Sequence, residues 1–257
     1  MVRIYNDEEI AIMTEGGVKL AHVMAGLKKY LQAGQTHHDI EMETRRLIES
    51  VGATSGTIGY QTQKSDPPFP AATCISVNSH VAHGIGYENN TIIQEGDLVS
   101  LDVIIVWKGM FIDNCRSYLI GESTEERKKL LECSYNATQA AIAAAVVGNT
   151  TNDIGIAAEN CAASYGFKTV KELGGHGVGE KIHMEPFVPS FGGSGYATPI
   201  KEGMILAIEP IITAGGWRIN LLDDGWTFET KDGSDTSQFE ETVLITKDGP
   251  IALTKDL

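Results

Sequence analysis

Apolar residues recur at helical spacing from Ile10 through Met13, Leu20, Met24 and Leu27 to Leu31, with Gly17 taking one place in the stripe. Asn6, with Glu9 three residues on, supplies a helix-start signal. Thr36 with Asp39 predicts a second helix running toward Val51. Ser123 with Glu126 predicts a third that ends near Gly148, and Thr150 with Asp153 a fourth that ends near Gly166. The remaining chain is strand-like and rich in Val, Ile and Gly. Two rounds of helices followed by strands predict an α+β fold, with helices gathered on one side of a curved, mainly antiparallel sheet.

The two rounds also repeat in sequence. Gly34-Gln35-Thr36-His37-His38-Asp39-Ile40 recurs as Gly148-Asn149-Thr150-Thr151-Asn152-Asp153-Ile154. His83-Gly84-Ile85-Gly86 recurs as His176-Gly177-Val178-Gly179. Ile93-Gln94-Glu95-Gly96, leading to Asp102, recurs as Ile200-Lys201-Glu202-Gly203, leading to Glu209. Three matches in the same order are not chance, and their long period excludes a solenoid. No Pro/Ser-rich linker separates the copies. A single domain over residues 1–257 is expected, built on a pseudo-two-fold that relates halves at about 7–121 and 122–250.

Charge and cysteine content narrow the function classes. The formal net charge is −14, which argues against nucleic acid or an anionic membrane as the main ligand. Cys74, Cys115, Cys133 and Cys161 form no C-x-x-C pair and read as free thiols of a reducing compartment. The N-terminus has no signal core or transit pattern, and the Ala-rich stretch from Ala140 to Val147 is too short to span a bilayer. A cytoplasmic, monomeric protein is expected.

Several acidic residues stand where strands should be apolar. Leu98-Val99-Ser100-Leu101-Asp102-Val103-Ile104-Ile105-Val106 is a strand by composition, and Met110-Phe111-Ile112-Asp113 returns after a turn. A turn centred between Trp107 and Lys108 sets Asp102 directly opposite Asp113, with Cβ atoms only ~5 Å apart. Two like charges so placed destabilise a hairpin, whereas a divalent cation between them turns repulsion into coordination. Met204 to Pro210 is a second apolar strand carrying Glu209, and Gln238 to Ile245 a third carrying Glu240 and Glu241. Alternation puts Glu240 and Glu241 on opposite faces and does not choose between them. His176 sits among Gly174, Gly175, Gly177 and Gly179, which allow close backbone approach and leave the imidazole accessible. Carboxylates with an imidazole suit a divalent transition metal, and four carboxylates around two ions make a two-metal hydrolytic site.

The order Asp102, Asp113, Gly174-Gly175-His176-Gly177, Ile208-Glu209-Pro210 and Gln238-Phe239-Glu240 resembles a metallopeptidase family. That family contains methionine aminopeptidases, proline-specific aminopeptidases and prolidases, and the resemblance covers nearly the whole chain. It implies the pita-bread (creatinase/aminopeptidase-like) fold. It also implies two divalent ions (Co, Mn, Fe, Zn or Ni) held by Asp102, Asp113, His176, Glu209 and Glu240, and so places Glu240 rather than Glu241 at the site. Asp102 would chelate one ion, His176 and Glu209 the other, and Asp113 and Glu240 would bridge. Glu209 would be the general base, His183 would stabilise the carbonyl oxygen, and His83 would contact the scissile amide nitrogen.

Within the family the chain resembles the type I methionine aminopeptidases, through Cys74-Ile75-Ser76-Val77-Asn78 leading to His83-Gly84, and through Asp224-Gly225-Trp226-Thr227. The implied function is removal of N-terminal methionine from nascent polypeptides when the second residue is small, with encounter at the ribosome. The proline-specific peptidases and non-catalytic binding proteins of this fold are the alternatives. Tyr60, Cys74, Ile182 and Trp226, joined by Thr57 and Phe69, would form the methionine pocket. Two departures mark this chain: a long loop from Gln61 to Pro70, and Ile182 where an aromatic is common. Asn78, with nearby backbone and Thr236, is an expected monovalent-cation site.

Overall fold

The computed structural model describes residues 2–64 and 66–255. Helices α1 (Asp7–Tyr30) and α2 (His37–Ser50) come first, then strands β1 (Thr54–Ser55), β2 (Thr73–Val77), β3 (His80–Ala82), β4 (Leu98–Trp107) and β5 (Met110–Leu119). Helices α3 (Glu125–Ala144) and α4 (Thr151–Ser164) open the second round. Strands β6 (Lys168–Thr169), β7 (Gly175–Gly177), β8 (Met184–Val188), β9 (Ile205–Ile208) and β10 (Ile211–Thr213) follow. The chain closes with β11 (Ile219–Leu221), β12 (Phe228–Thr230), β13 (Thr236–Gln238), β14 (Glu241–Thr246) and β15 (Gly249–Ala252). In the first round β4 pairs with β1, β2 and β5; in the second the order is β15-β14-β9-β7-β8. The strand pairings in both are antiparallel.

Helix starts follow the capping chemistry. Glu9 N donates to Asn6 Oδ1 at 3.0 Å, and Asn6 N to Glu9 Oε2 at 2.9 Å. α3 starts one residue later than expected. Thr124, not Ser123, accepts from Arg127 N, because the Ser123 hydroxyl donates instead to Gly96 O in the first half. α1 is also long and apolar enough, by length and composition, to cross a membrane. Here its Met13, Leu20, Val23, Met24 and Leu27 are buried in one core with Leu101, Val103, Ile105 and Ile112 of the β4–β5 hairpin.

The sequence duplication is repeated bond for bond. Ile93 N donates to Gln35 O at 2.8 Å, and Ile200 N to Asn149 O at 2.9 Å. His37 N donates to Thr91 O at 3.0 Å, and Thr151 N to Thr198 O at 2.9 Å. Thr36 N and Oγ1 both donate to Asp39 Oδ2, as Thr150 N and Oγ1 both donate to Asp153 Oδ2. Each repeat therefore clamps the start of its second helix to the segment that feeds its long strand.

Two strand expectations are corrected. The β4–β5 turn is Lys108-Gly109, both at positive φ (48° and 84°), so Trp107 belongs to the strand and pairs with Met110. Asp102 faces Cys115, and Asp113 faces Ile104. The register differs from the expected one by two residues, which preserves the faces. The aspartates become diagonal neighbours, about 7–8 Å apart at the backbone, within carboxylate reach of a shared ion. The strand expected from Gln238 to Ile245 is broken at Phe239–Glu240. There the backbone turns outward to bond with β5 and α3: Glu240 N donates to Cys115 O at 2.9 Å, and Phe239 O accepts from Thr138 Oγ1 at 3.0 Å. This seam, extended by Thr242 Oγ1 donating to Asp113 O, joins the two halves at the acidic residues.

Gly17 permits the closest approach of α1 to the C-terminal segment. A Cβ there would lie 2.2 Å from the Leu253 carbonyl oxygen, a backbone atom that cannot swing aside. Gly→Ala inside a helix ordinarily stabilises, by up to about 1 kcal/mol. Gly17→Ala should instead destabilise by about 1–3 kcal/mol, the cost of overpacking, read as a lowered midpoint in urea.

Candidate metal centre

Asp102 and Asp113 project from the same face of the β4–β5 hairpin. Glu209 stands one residue past β9, Glu240 in the break between β13 and β14, and His176 at the middle of β7. The glycines around His176 have a steric cause. A Cβ on Gly175 would lie 2.1 Å from Ala207 O, and one on Gly177 2.4 Å from Glu185 O, so only glycine lets β9 and β8 close on β7. His176 is thereby brought 3.3 Å from Glu209 Oε1 and 3.9 Å from Asp113 Oδ2, measured at Nε2. Its Nδ1 lies 3.1 Å from Gly177 O, which takes the N–H and leaves the Nε2 lone pair aimed at the carboxylates.

These acids are almost without protein partners. Asp102 Oδ1, Asp113 Oδ1 and Glu240 Oε1 are buried and accept no hydrogen bond from the described residues. One ligand atom each from Asp113, His176 and Glu240 lies within 4.8 Å of the others. At an effective dielectric of about 20, each pair of charges ~4 Å apart repels by roughly 4 kcal/mol. Burial, then this repulsion, holds the Asp113 and Glu240 carboxyls well above the usual range. Burial first, aided by Glu209, raises Asp102 to about 7, and burial raises Glu209 to about 8. Orphaned oxygens converging with an imidazole lone pair are the donor set of a divalent cation. Glu241 turns the other way, as strand alternation requires. It pairs with buried Arg116 at 2.6 Å and accepts from Thr254 and Asn114.

The acids open onto a cavity of about 430 Å³. Each residue expected from sequence as metal-holding or substrate-facing lines it: Asp102, Asp113, His176, Glu209, Glu240, His83, His183, Tyr60, Cys74, Ile182, Trp226, Thr57 and Phe69. Phe69 and Trp226 meet edge to face, with ring centroids 5.2 Å apart, and form an apolar wall with Cys74. Asp224 holds Trp226 in place by accepting from its backbone N–H at 2.9 Å. The Gln61–Pro70 loop is closed at its base by Phe69 N donating to Tyr60 O at 2.8 Å, and it sends Thr62 and Asp66 to the cavity.

His83 adopts a left-handed φ of 59°. Burial, then His183 and His176, pushes its pKa down to about 4, and burial pushes His183 to about 3, so both rings are neutral. Gln238 Nε2 donates to Glu209 Oε2 at 2.9 Å. Sequence reading missed Gln238, Ile104, Leu173, Leu221 and Phe228, the last four lining the cavity. Alternation from Asp102 could have found Ile104, and alternation from Trp226 could have found Phe228; Leu173 and Leu221 carry no such signal. The Asn78 side chain is already committed, donating to Asp97 at 2.8 Å and accepting from Leu98 N at 3.0 Å. The Asn78 and His80 carbonyls accept from the Thr236 hydroxyl.

Comparison with known proteins places this site in context. Residues 11–247 match the family described as metallopeptidase family M24. The chain belongs to that family. A methionine aminopeptidase of Aquifex aeolicus is 38% identical over 256 residues, covering 99% of each chain. The crystal structure of a methionine aminopeptidase from Thermotoga maritima superposes with a TM-score of 0.93 at 33% identity, covering 100% of both chains. A prolidase from Pyrococcus furiosus shares the fold at a TM-score of 0.77 and 22% identity, with this chain covering 66% of its length. The fold is thus the pita-bread fold common to aminopeptidases and prolidases. The chain is a metal-dependent peptidase, and the buried Asp/His/Glu cluster is its divalent metal site.

Because the folded state raises these carboxyl pKa values, it binds protons more tightly than the unfolded chain. The stabilisation is present below about pH 4 and is lost as pH rises through 7 to 8. Metal-stripped protein should therefore melt at a lower temperature at pH 8 than at pH 5. Saturating Mn should raise the melting temperature at pH 8, as differential scanning calorimetry will show.

Proposed function

We propose that this chain is a methionine aminopeptidase that releases the N-terminal methionine of nascent polypeptides whose second residue is small. The observation that carries the reading is the direct opening of the acidic cluster onto the apolar wall of Phe69, Cys74, Ile182 and Trp226. That wall suits an unbranched, polarisable thioether side chain. Leu221, half exposed, lines the same cavity. The full-length similarity to methionine aminopeptidases supports the same assignment.

Asp102, Asp113, His176, Glu209 and Glu240 would hold two divalent ions. The set accepts Co, Mn, Fe, Zn or Ni, and cellular availability selects among these. Such ions, when bound, polarise water and the scissile carbonyl and so supply a nucleophile at neutral pH. The chain's own residues do the rest. Glu209 takes the proton of the attacking water and returns it to the leaving amine. Gln238, donating to Glu209 Oε2, fixes that carboxylate so that Oε1 faces the site. His183 donates to the carbonyl oxygen as negative charge develops there, and His83 contacts the scissile nitrogen. Both rings are held neutral by burial, so each has one N–H to place. We take the chain to act as a monomer. We place it in the cytoplasm, where nascent N-termini emerge at the ribosome and free cysteines such as buried Cys74, Cys115 and Cys133 persist.

The test is a peptide panel with Mn-loaded protein. Methionine should be released from Met-Ala-Ser and not from Met-Leu-Ser, and Xaa-Pro peptides should be left intact; preferential cleavage of Xaa-Pro would move the assignment to a proline-specific peptidase. Asp113→Asn should lower kcat/KM by more than about 100-fold, beyond the cost of losing an outer hydrogen-bond partner. It should also reduce the metal content measured by mass spectrometry.

A further inference from the structure

The Nδ1 of the His183 imidazole lies 2.6 Å from the Tyr60 hydroxyl. At that distance a proton lies between the two atoms, and its owner decides what the other ring nitrogen can do. If Nδ1 carries the proton, Nε2 presents a lone pair to the cavity. If Tyr60 carries it, Nε2 presents an N–H.

Donor and acceptor chemistry gives the proton to Tyr60: a phenol O–H is a stronger donor than a neutral imidazole N–H, and the imidazole nitrogen lone pair is a stronger acceptor than a phenol oxygen. His183 lines the cavity with Asp102, Asp113, Glu209 and Glu240, and its ring lies 4.5 Å from that of His176. The phenol is held in place from both sides of its backbone: Tyr60 N donates to Thr57 O at 2.9 Å, and Tyr60 O accepts from Phe69 N at 2.8 Å. Its ring leans on His183 at 5.3 Å and on Trp226 at 6.4 Å between centroids.

We propose that Tyr60 is a positioning residue that locks His183 in the Nε2–H tautomer. Tyr60 thus does more than line the methionine pocket. It converts a neutral histidine with two available tautomers into a donor fixed toward the oxygen that becomes negative. The inference rests on the peptidase reading above.

The test is Tyr60→Phe, which keeps the ring and removes only the donor. Nitrogen-15 spectra of labelled histidine in the Zn-loaded protein, with His183 assigned by its loss in His183→Ala, report the tautomer directly. Wild type should show a single Nε2–H form, and Tyr60→Phe a mixture that includes Nδ1–H. On Met-Ala-Ser, kcat should fall by about 10-fold, a part of the 10²–10³ lost with a whole oxyanion donor, while KM changes less than about twofold. An Nδ1–H form in wild type, an unchanged spectrum in Tyr60→Phe, or a rise in KM with kcat intact would each overturn the proposal. If wild type fails to cleave Met-Ala-Ser while the spectra change as expected, the peptidase reading fails and the Tyr60–His183 assignment stands on the spectra.

Discussion

The mutual repulsion of Asp102, Asp113, Glu209 and Glu240 in a buried space is the constraint around which the chain is arranged. No single strand could carry it. The acids are instead delivered from a hairpin face, a strand exit and a strand break, held by bonds to their backbones and, at Glu209, by one bond to the carboxylate. Thr242 brackets the Asp113 backbone, Cys115 accepts from Glu240 N, and Gln238 takes one oxygen of Glu209. Behind them Arg116 donates to Glu240 O and pairs with Glu241, so this buried cation is committed to the side facing away from the site. The scaffold is therefore stiff where the charges are least comfortable, which is what a preformed ion site needs.

The duplicated halves contribute different chemistry through the same motif. His83-Gly84 and His176-Gly177 occupy matching places, yet His83 is twisted to a left-handed φ of 59° and His176 lies within β7. One imidazole joins the carboxylates, and the other faces Trp226 and Phe228 across the cavity. A pseudo-symmetric frame thus carries an asymmetric site: it has a metal side and a substrate side because two copies of one element settled into different backbone wells.

Much of this was legible in the sequence, because the relevant residues break local rules at a cost. Asp within Leu98–Val106 and histidine within a glycine run are expensive unless they serve something, and the capping pairs at Asn6, Thr36 and Thr150 are short-range signals. What escaped depended on tertiary placement. Trp107 reads as a turn residue until Lys108 and Gly109 take the two positive-φ positions. The 238–245 strand reads as continuous because nothing local shows that β5 and α3 will capture the backbone at Phe239–Glu240. Ser123 and Thr124 are equivalent caps until Gly96 claims the serine. Leu173 and Leu221 reach the cavity from irregular segments with no period, and the contact between Tyr60 and His183 spans 123 residues.

The close seating of Gly17 under Leu253 bears on how the molecule is made. α1 leaves the ribosome before the strands that cover its buried face, and it is apolar enough to pass for a bilayer segment. The hairpin that covers that face arrives some eighty residues later, and the backbone that seals it only after residue 253 has been synthesised. During that interval the helix must be shielded or kept from packing wrongly, since exposed apolar surface on an incomplete chain invites aggregation. An enzyme proposed to trim other chains as they emerge cannot complete its own centre until Glu240, the last of its expected ligands along the chain, has been made.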